Sequence, residues 1–295
     1  MKTIPAKTII TKTKKPAAWF GANYNMNIYR GCCHGCIYCD SRSDCYRNPD
    51  FNTVKAKENA LQLIRDDLRR KVKTGVIATG AMSDPYNPFE KDEQLTRNSL
   101  ELINAFNFGV AIDTKGPLVT RDVDILADIK SHSPVIVKMS ITTADDHLSK
   151  IIEPGAALSS QRFSALKELS DAGIFCGVLM MPILPFINDT KENIAAIVTK
   201  AKEANVRFIY PAFGVTMRQG NREYFYEQLD KYFPEYKEKY LSRYRNNYIC
   251  TSPQARNLWR LFIDLCKQNN ILYDMKDITH AYQRPYKIEQ LSLFP

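Results

Sequence analysis

The chain has 295 residues, 44% of them hydrophobic and 25% charged, an ordinary balance for a soluble globular protein with room for a sizeable core. No run approaches the roughly 20 apolar residues of a membrane span, and Lys7, Lys12, Lys14 and Lys15 interrupt the segment where a secretory signal would need an apolar stretch. The expectation is therefore a cytoplasmic protein with no membrane partner, carrying a net charge of +9 and a basic arm of six Lys or Arg and no acidic residue from Met1 to Cys39. Such an arm suits a phosphate backbone, DNA included, and equally suits a solvated terminus.

After an arm over residues 1–20, the first predicted strand, 23–29, runs into Tyr29-Arg30-Gly31-Cys32-Cys33-His34-Gly35-Cys36-Ile37-Tyr38-Cys39-Asp40. Cys32, Cys36 and Cys39 stand there in a C-x3-C-x2-C arrangement. Thiolates so closely spaced on one loop can converge on one metal centre, and soft sulfur selects an iron–sulfur cluster, zinc or copper(I). Three ligands on a four-iron cube leave one iron open to a substrate or cofactor, which is a catalytic arrangement. Zinc stands beside that reading, because Cys33 and Cys36 form a C-x2-C pair with His34 and Cys45 nearby. A second ligand pair is missing from the pattern: Cys176, Cys250 and Cys266 are isolated, and His132, His147 and His280 have no ligand-like spacing. Cysteines used as ligands and free thiols suit a reducing compartment.

Helical and β-branched segments then alternate. A helix over 55–71, with Leu61, Ile64 and Leu68 on one face, precedes a strand over 76–79. Helices over 95–106, 122–129, 162–172 and 192–204 are followed by strands over 110–113, 135–141, 175–181 and 208–212. Six strand–helix units imply parallel strands, in either a partial (β/α)6 barrel or a doubly wound sheet.

Reactive groups in parallel α/β folds collect at the carboxyl ends of strands. Those ends supply Ser83 and Asp84, suited to an ammonium or to a helix cap, and Lys115, suited to a carboxylate or to a solvated loop. They also supply Ser140 and the stiff run Met181-Pro182-Ile183-Leu184-Pro185. Beyond 215 the character changes. Phe225, Leu229, Tyr232, Tyr236 and Tyr240 follow helical spacing broken by Pro234, reading as an amphipathic helix on the barrel or as an aromatic surface for unpaired bases. A helix over 253–268 and a strand-like 271–273 complete a C-terminal helical extension, expected to lid the open end of the barrel. The division is an arm over 1–20, a barrel over 21–215, an extension over 216–288 and a tail over 289–295.

The C-x3-C-x-Tyr38-C pattern resembles the signature of radical S-adenosylmethionine enzymes. That resemblance implies a [4Fe-4S] cluster on Cys32, Cys36 and Cys39 in a six-unit partial barrel. Its open iron would chelate the amino and carboxylate groups of S-adenosylmethionine, and an electron donor would drive cleavage to methionine and a 5′-deoxyadenosyl radical. Tyr38 matches the aromatic residue that packs near the adenine in that family. Ser83-Asp84-Pro85-Tyr86, Thr114-Lys115-Gly116-Pro117-Leu118 with Arg121-Asp122, Ser140-Ile141, Glu153-Pro154 and Pro182-Ile183-Leu184-Pro185 are similar to the spore photoproduct lyase-related branch, which implies lyase-like repair of DNA bases. Ala81 stands where the repairing lyases carry a hydrogen-donating cysteine, so Tyr86 or a different substrate enters the reading, while Cys176 reads as a buried small residue. Finally, Gln290, Leu291, Ser292, Leu293 and Phe294 match the pentapeptide by which bacterial replication and repair proteins bind the DNA sliding clamp. The expectation is a clamp-recruited radical enzyme acting on damaged or modified DNA. Its alternatives are the same chemistry on RNA, protein or a small molecule, and a nonenzymatic clamp-bound adaptor with a structural metal.

Overall fold

The computed structural model describes residues 1–16 and 19–286, so the tail motif from Gln290 to Phe294 lies outside the described residues. Strands β1 (Lys2–Ile4), β2 (Ile10–Lys12), β3 (Tyr24–Met26), β4 (Tyr29–Arg30) and β5 (Lys55–Lys57) precede helix α1 (Ala60–Arg69). Five further strands follow with helices between them: β6 (Val76–Thr79), β7 (Gly109–Thr114), β8 (Val135–Ser140), β9 (Cys176–Met180) and β10 (Phe208–Pro211). The seven-stranded sheet has the order β10-β9-β8-β7-β6-β3-β2, with β2 antiparallel to β3 and every other pairing parallel. Its six parallel strands make the expected partial (β/α)6 barrel.

Alternation along the strands builds two cores. Ile77, Val110, Ile112, Val135, Val137, Met139, Val178, Met180 and Ile209 point outward to the helices. The helices meeting them are α1, α3 (Leu95–Ala105), α4 (Val123–Lys130), α6 (Ser159–Asp171) and α7 (Lys191–Glu203), whereas α2 (Glu90–Glu93) adds nothing to that core and α5 (Asp146–Ile152) packs Ile152 beside the cysteine loop. Val76, Ala78, Ala111, Ile136, Leu179 and Phe208 point inward, where Phe20, Ile278 and Tyr282 join them.

Three local differences from the sequence reading have physical causes. The first strand stops at Met26, and Tyr29 pairs in a second sheet ordered β1-β5-β4, its hydroxyl donating to the buried Glu90 carboxylate at 2.5 Å. Residues 55–57 are therefore strand rather than helix, since β5 lies between β1 and β4. The tyrosine-rich segment is two helices, α8 (Asn221–Tyr232) and α9 (Pro234–Tyr244), because Pro234 lacks the amide that would continue α8 and is suited to the first turn of α9.

The extension does not act as one lid. Helices α8 and α9, inserted between the paired antiparallel strands β11 (Gly214–Thr216) and β12 (Ile249–Thr251), pack Phe225, Leu229, Tyr240 and Tyr244 against Ile37 and Tyr38 of the cysteine loop. Helix α10 (Ala255–Gln268) adds Leu258, Phe262 and Cys266 to the outer core. Helix α11 (Met275–Gln283), not anticipated from sequence, closes the barrel interior from beneath, where the Tyr282 hydroxyl donates to the Phe20 carbonyl at 2.5 Å. Among the described residues no helix is long and apolar enough to cross a membrane.

Candidate active site

The cysteine loop leaves β4, a few residues beyond the first parallel strand β3, and is held from several sides. Gly31 has φ +82°, and a Cβ there would lie 2.2 Å from the Thr53 carbonyl oxygen, so only glycine allows the close approach. The Cys32 amide donates to the Phe51 carbonyl at 2.8 Å, the Ile37 amide to the Ile152 carbonyl at 3.0 Å, and the Gly155 amide to the His34 carbonyl at 2.8 Å. Ser83 donates from its hydroxyl to the Gly31 carbonyl. Three residues earlier, Gly80 has φ +103° and a Cβ there would lie 1.8 Å from the Asp113 carbonyl oxygen, so glycine lets the ends of β6 and β7 come together.

Asp84 ties that junction. Its carboxylate accepts from the Thr114 hydroxyl at 2.6 Å and from the Tyr86 and Lys115 amides at 2.9 and 2.7 Å, and His34 Nδ1 lies 3.6 Å away. Both Ser83 and Asp84 are buried with their side chains committed to protein partners. Lys115 sits half-buried above Asp113, its Nζ 5.8 Å from the centre of the Tyr38 ring. Burial pulls the Lys115 ammonium down, but Cys36 and Glu153 outweigh it and hold the group above the usual lysine value.

Tyr38 is buried and donates its hydroxyl to Glu153. Glu153 in turn pairs with Arg162 of α6 at 2.6 Å, and Arg162 donates to the Ser140 carbonyl at 2.8 Å and from Nε to the Ala157 carbonyl at 2.8 Å. Burial pushes the Glu153 carboxyl up, yet Arg162 and Lys115 prevail and keep it below the usual glutamate range. A continuous polar path thus runs from the cysteine loop to the end of β8, where Ser140 is partly exposed. Glu153 was visible in sequence only as part of a short motif. Arg162 was missed, because an arginine on a helix ordinarily signals solvent; its signal was its place on the same face as Leu166 and Leu169.

The three thiols fit a cluster. Cys36 is buried, Cys32 and Cys39 partly so, and Cys36 feels the charge of both others as well as of Lys115. Burial, reinforced by Asp84, pushes the Cys32 thiol up to about 12, and burial raises Cys36 too. Thiols in such a setting ionise when a cationic centre supplies the missing charge. Among the described residues no three His, Cys, Asp or Glu side chains converge on a single-ion site, the arrangement structural zinc asks for, whereas an iron–sulfur cube takes each thiol at a separate corner. Cys33 packs against the outer core, and Cys45 is exposed, with Arg218 Nη1 3.4 Å from its sulfur.

The sequence-based candidates for a hydrogen donor fall elsewhere. Tyr86 is 3% exposed and donates to Asp122 at 3.0 Å, inside a charge cluster with Glu90 and Arg121. Cys176 faces outward and is buried against the Leu166 carbonyl. Ala81 is exposed.

Known proteins resemble this chain in sequence or in fold. A protein of Methanocaldococcus jannaschii is 37% identical over 194 residues, covering 65% of this chain and 70% of its own length. One from Mycobacterium tuberculosis is 29% identical over 226 residues, and the chain spans 66% of that relative's length. Among solved structures, spore photoproduct lyase complexed with dinucleoside spore photoproduct aligns with a TM-score of 0.65 at 14% identity, over 88% of this chain and 76% of its own. A radical S-adenosylmethionine methyltransferase, TsrM, from Kitasatospora setae, with cobalamin and a [4Fe-4S] cluster bound, aligns with a TM-score of 0.57 at 12% identity, over 89% and 57%. The Radical SAM superfamily model matches residues 26–201, from the last residue of β3 into α7. With most of the chain inside that match and the three-cysteine loop a few residues beyond the first parallel strand, the protein belongs to the radical SAM superfamily, whose enzymes use a [4Fe-4S] cluster and S-adenosylmethionine.

Proposed function

We propose that this chain is a radical S-adenosylmethionine enzyme, lyase-like, that acts on damaged or modified bases in DNA and is brought to its substrate by the sliding clamp. The observation that carries the chemistry is the Cys32, Cys36 and Cys39 loop facing Lys115 at the carboxyl ends of the parallel strands. When bound there, the cluster and S-adenosylmethionine supply reductive cleavage to methionine and a 5′-deoxyadenosyl radical, which takes hydrogen from the substrate.

The chain's own residues orient and shield that chemistry. Lys115 presents an ammonium for the methionyl carboxylate. Tyr38 offers a ring fixed by Glu153, and Ser140 a hydroxyl at the rim. Ser83 and Asp84 act chiefly as braces, the first fixing Gly31 and the second fixing the Lys115 backbone, which sets the distance between cluster and lysine. Support for DNA comes from the fold shared with spore photoproduct lyase, the basic arm and the tail from Gln290 to Phe294.

Ala81 favours a second reading, in which the same radical acts on another lesion, or on RNA, protein or a small molecule, because alanine has no hydrogen atom to donate as a thiol does. The deciding experiment is anaerobic iron reconstitution, reduction with S-adenosylmethionine and chromatography for 5′-deoxyadenosine, followed by the same assay with damaged oligonucleotides. Product that rises with a DNA lesion supports repair. Cleavage indifferent to every oligonucleotide supports the second reading, and zinc in place of iron would return the nonenzymatic adaptor.

A further inference from the structure

The concave face of the barrel is apolar and small at Val76, Ala78, Ala111, Ile136 and Gly177, with one exception. Asp113 and Lys138 are direct partners across β7 and β8, and their charged groups meet at 2.8 Å with Lys138 0% and Asp113 8% exposed. Taking two charges from water is costly, so a pair serving only to fill the barrel would be a poor substitute for leucine and valine. What the pair holds is Trp19. Its indole N–H donates to Asp113 Oδ2 at 3.3 Å, and the neighbouring Phe20 ring lies 4.7 Å under the Lys138 ammonium.

Trp19 also meets Tyr210 of β10 edge-to-face, ring centres 5.9 Å apart at 86°. The two rings therefore bridge the barrel mouth from β7 to β10. Tyr210 stands beside Leu179, which stands beside Ser140, so it shares a level with the rim. Asp113 lies two residues before Lys115 on the same strand, roughly 7 Å deeper. Trp19, Tyr210 and Met181 are each only partly buried, in contrast to the sealed residues beneath them.

We infer that Trp19 and Tyr210 form a substrate wall on which a planar base stacks, with Asp113 and Lys138 as positioning residues that set the angle of the indole. Two aromatic rings at right angles accept a flat heterocycle face-on against one and edge-on against the other. This rests on the nucleic-acid reading above and gives it a contact residue outside the family match, since Trp19 comes from the N-terminal arm.

The test uses the reconstituted enzyme in a Trp259→Phe background, which leaves Trp19 as the one indole of a chain with two. The probe is the dinucleotide thymidylyl-thymidine, titrated with and without S-adenosylmethionine, and its binding is measured in parallel by equilibrium dialysis. A saturable change in Trp19 fluorescence is expected, together with an affinity loss of about 5- to 100-fold in Trp19→Leu and in Tyr210→Leu. Circular dichroism establishes that the variants are folded. Dialysis binding of undiminished strength in both variants, with Trp19 silent, would overturn the wall and leave the DNA reading standing. A fluorescence change produced by S-adenosylmethionine alone, with nothing added by the dinucleotide, would assign the rings to the cofactor and overturn it too. Absence of binding by the dinucleotide and by a labelled thymidine oligomer alike would remove the DNA reading, and the wall with it.

Discussion

Arg162 holds Glu153 at 2.6 Å with both side chains buried, and Glu153 in turn holds the hydroxyl of Tyr38. The cysteine loop is thus pinned through a charge pair whose other end is anchored on a helix and on the end of β8. Arg162→Met should leave Glu153 buried and unpaired and cost about 3–5 kcal/mol in urea unfolding. Iron retained per chain should fall with it. Glu153→Gln, which keeps shape and hydrogen bonding, should cost less; equal losses would show that the pair is not what matters.

Each of Cys32→Ala, Cys36→Ala and Cys39→Ala should abolish the visible absorbance of the reconstituted cluster, whereas Cys33→Ala should retain it, because Cys33 packs against the outer core while Cys36 and Cys39 pack with Ile37 and Tyr38. Loading that survives loss of any of the three would identify a different ligand set.

Removing the ammonium at Lys115 should weaken S-adenosylmethionine binding about 10- to 100-fold, the usual worth of a hydrogen bond to a charged group. Calorimetry on Lys115→Ala checks this. Cluster absorbance should be unchanged, and Lys115→Arg should recover part of the affinity.

Asp67 of α1 accepts from the Thr8 hydroxyl and from the Ile9 and Ile10 amides at 2.8 to 2.9 Å, tying the edge strand β2 to the helix layer. Burial pushes its carboxyl up, but those bonds outweigh it and hold it below the ordinary value. A depressed carboxylate stabilises the fold above its unfolded pKa of about 3.9 and loses that contribution as pH falls through the lower folded value. Asp67→Ala should therefore cost about 1–3 kcal/mol at pH 7. The difference from wild type should shrink below pH 4, as denaturant melts at several pH values will read.

Deleting residues 290–295 should abolish capture by a purified sliding clamp and leave 5′-deoxyadenosine formation intact. Clamp capture that persists would take the tail out of the recruitment scheme.

Much of the barrel was legible because its strands are buried on both faces and read as continuous apolar runs, Val76 to Thr79 and Val135 to Ile141 among them. The cysteine loop was legible because ligand spacing is local in sequence. Hidden were the contacts that no local spacing rule encodes, whether nine residues apart, as in Arg162 and Glu153, or 94, as in Trp19 and Asp113. Arg162 looks like a surface residue until Glu153 is beside it, Trp19 like part of a polar arm until Asp113 is, and Tyr29 like the end of a strand until its hydroxyl donates to Glu90. Helix α11 buries only Ile278 and Tyr282, too few positions to declare a period.

The bond from Tyr282 to the Phe20 carbonyl, spanning 262 residues, has a bearing on how the protein is made. The plug of the barrel consists of two segments 262 residues apart, the second a helix made long after the first. At about 5–20 residues per second, the interior ring of Phe20 waits roughly fifteen to fifty seconds for its last cover, and that of Phe208 roughly four to fifteen. Until then the nascent chain presents an apolar hollow to the crowded interior of the cell. Newly made chains should accordingly lean on chaperones, and premature termination ahead of α11 should yield aggregates rather than a smaller working enzyme.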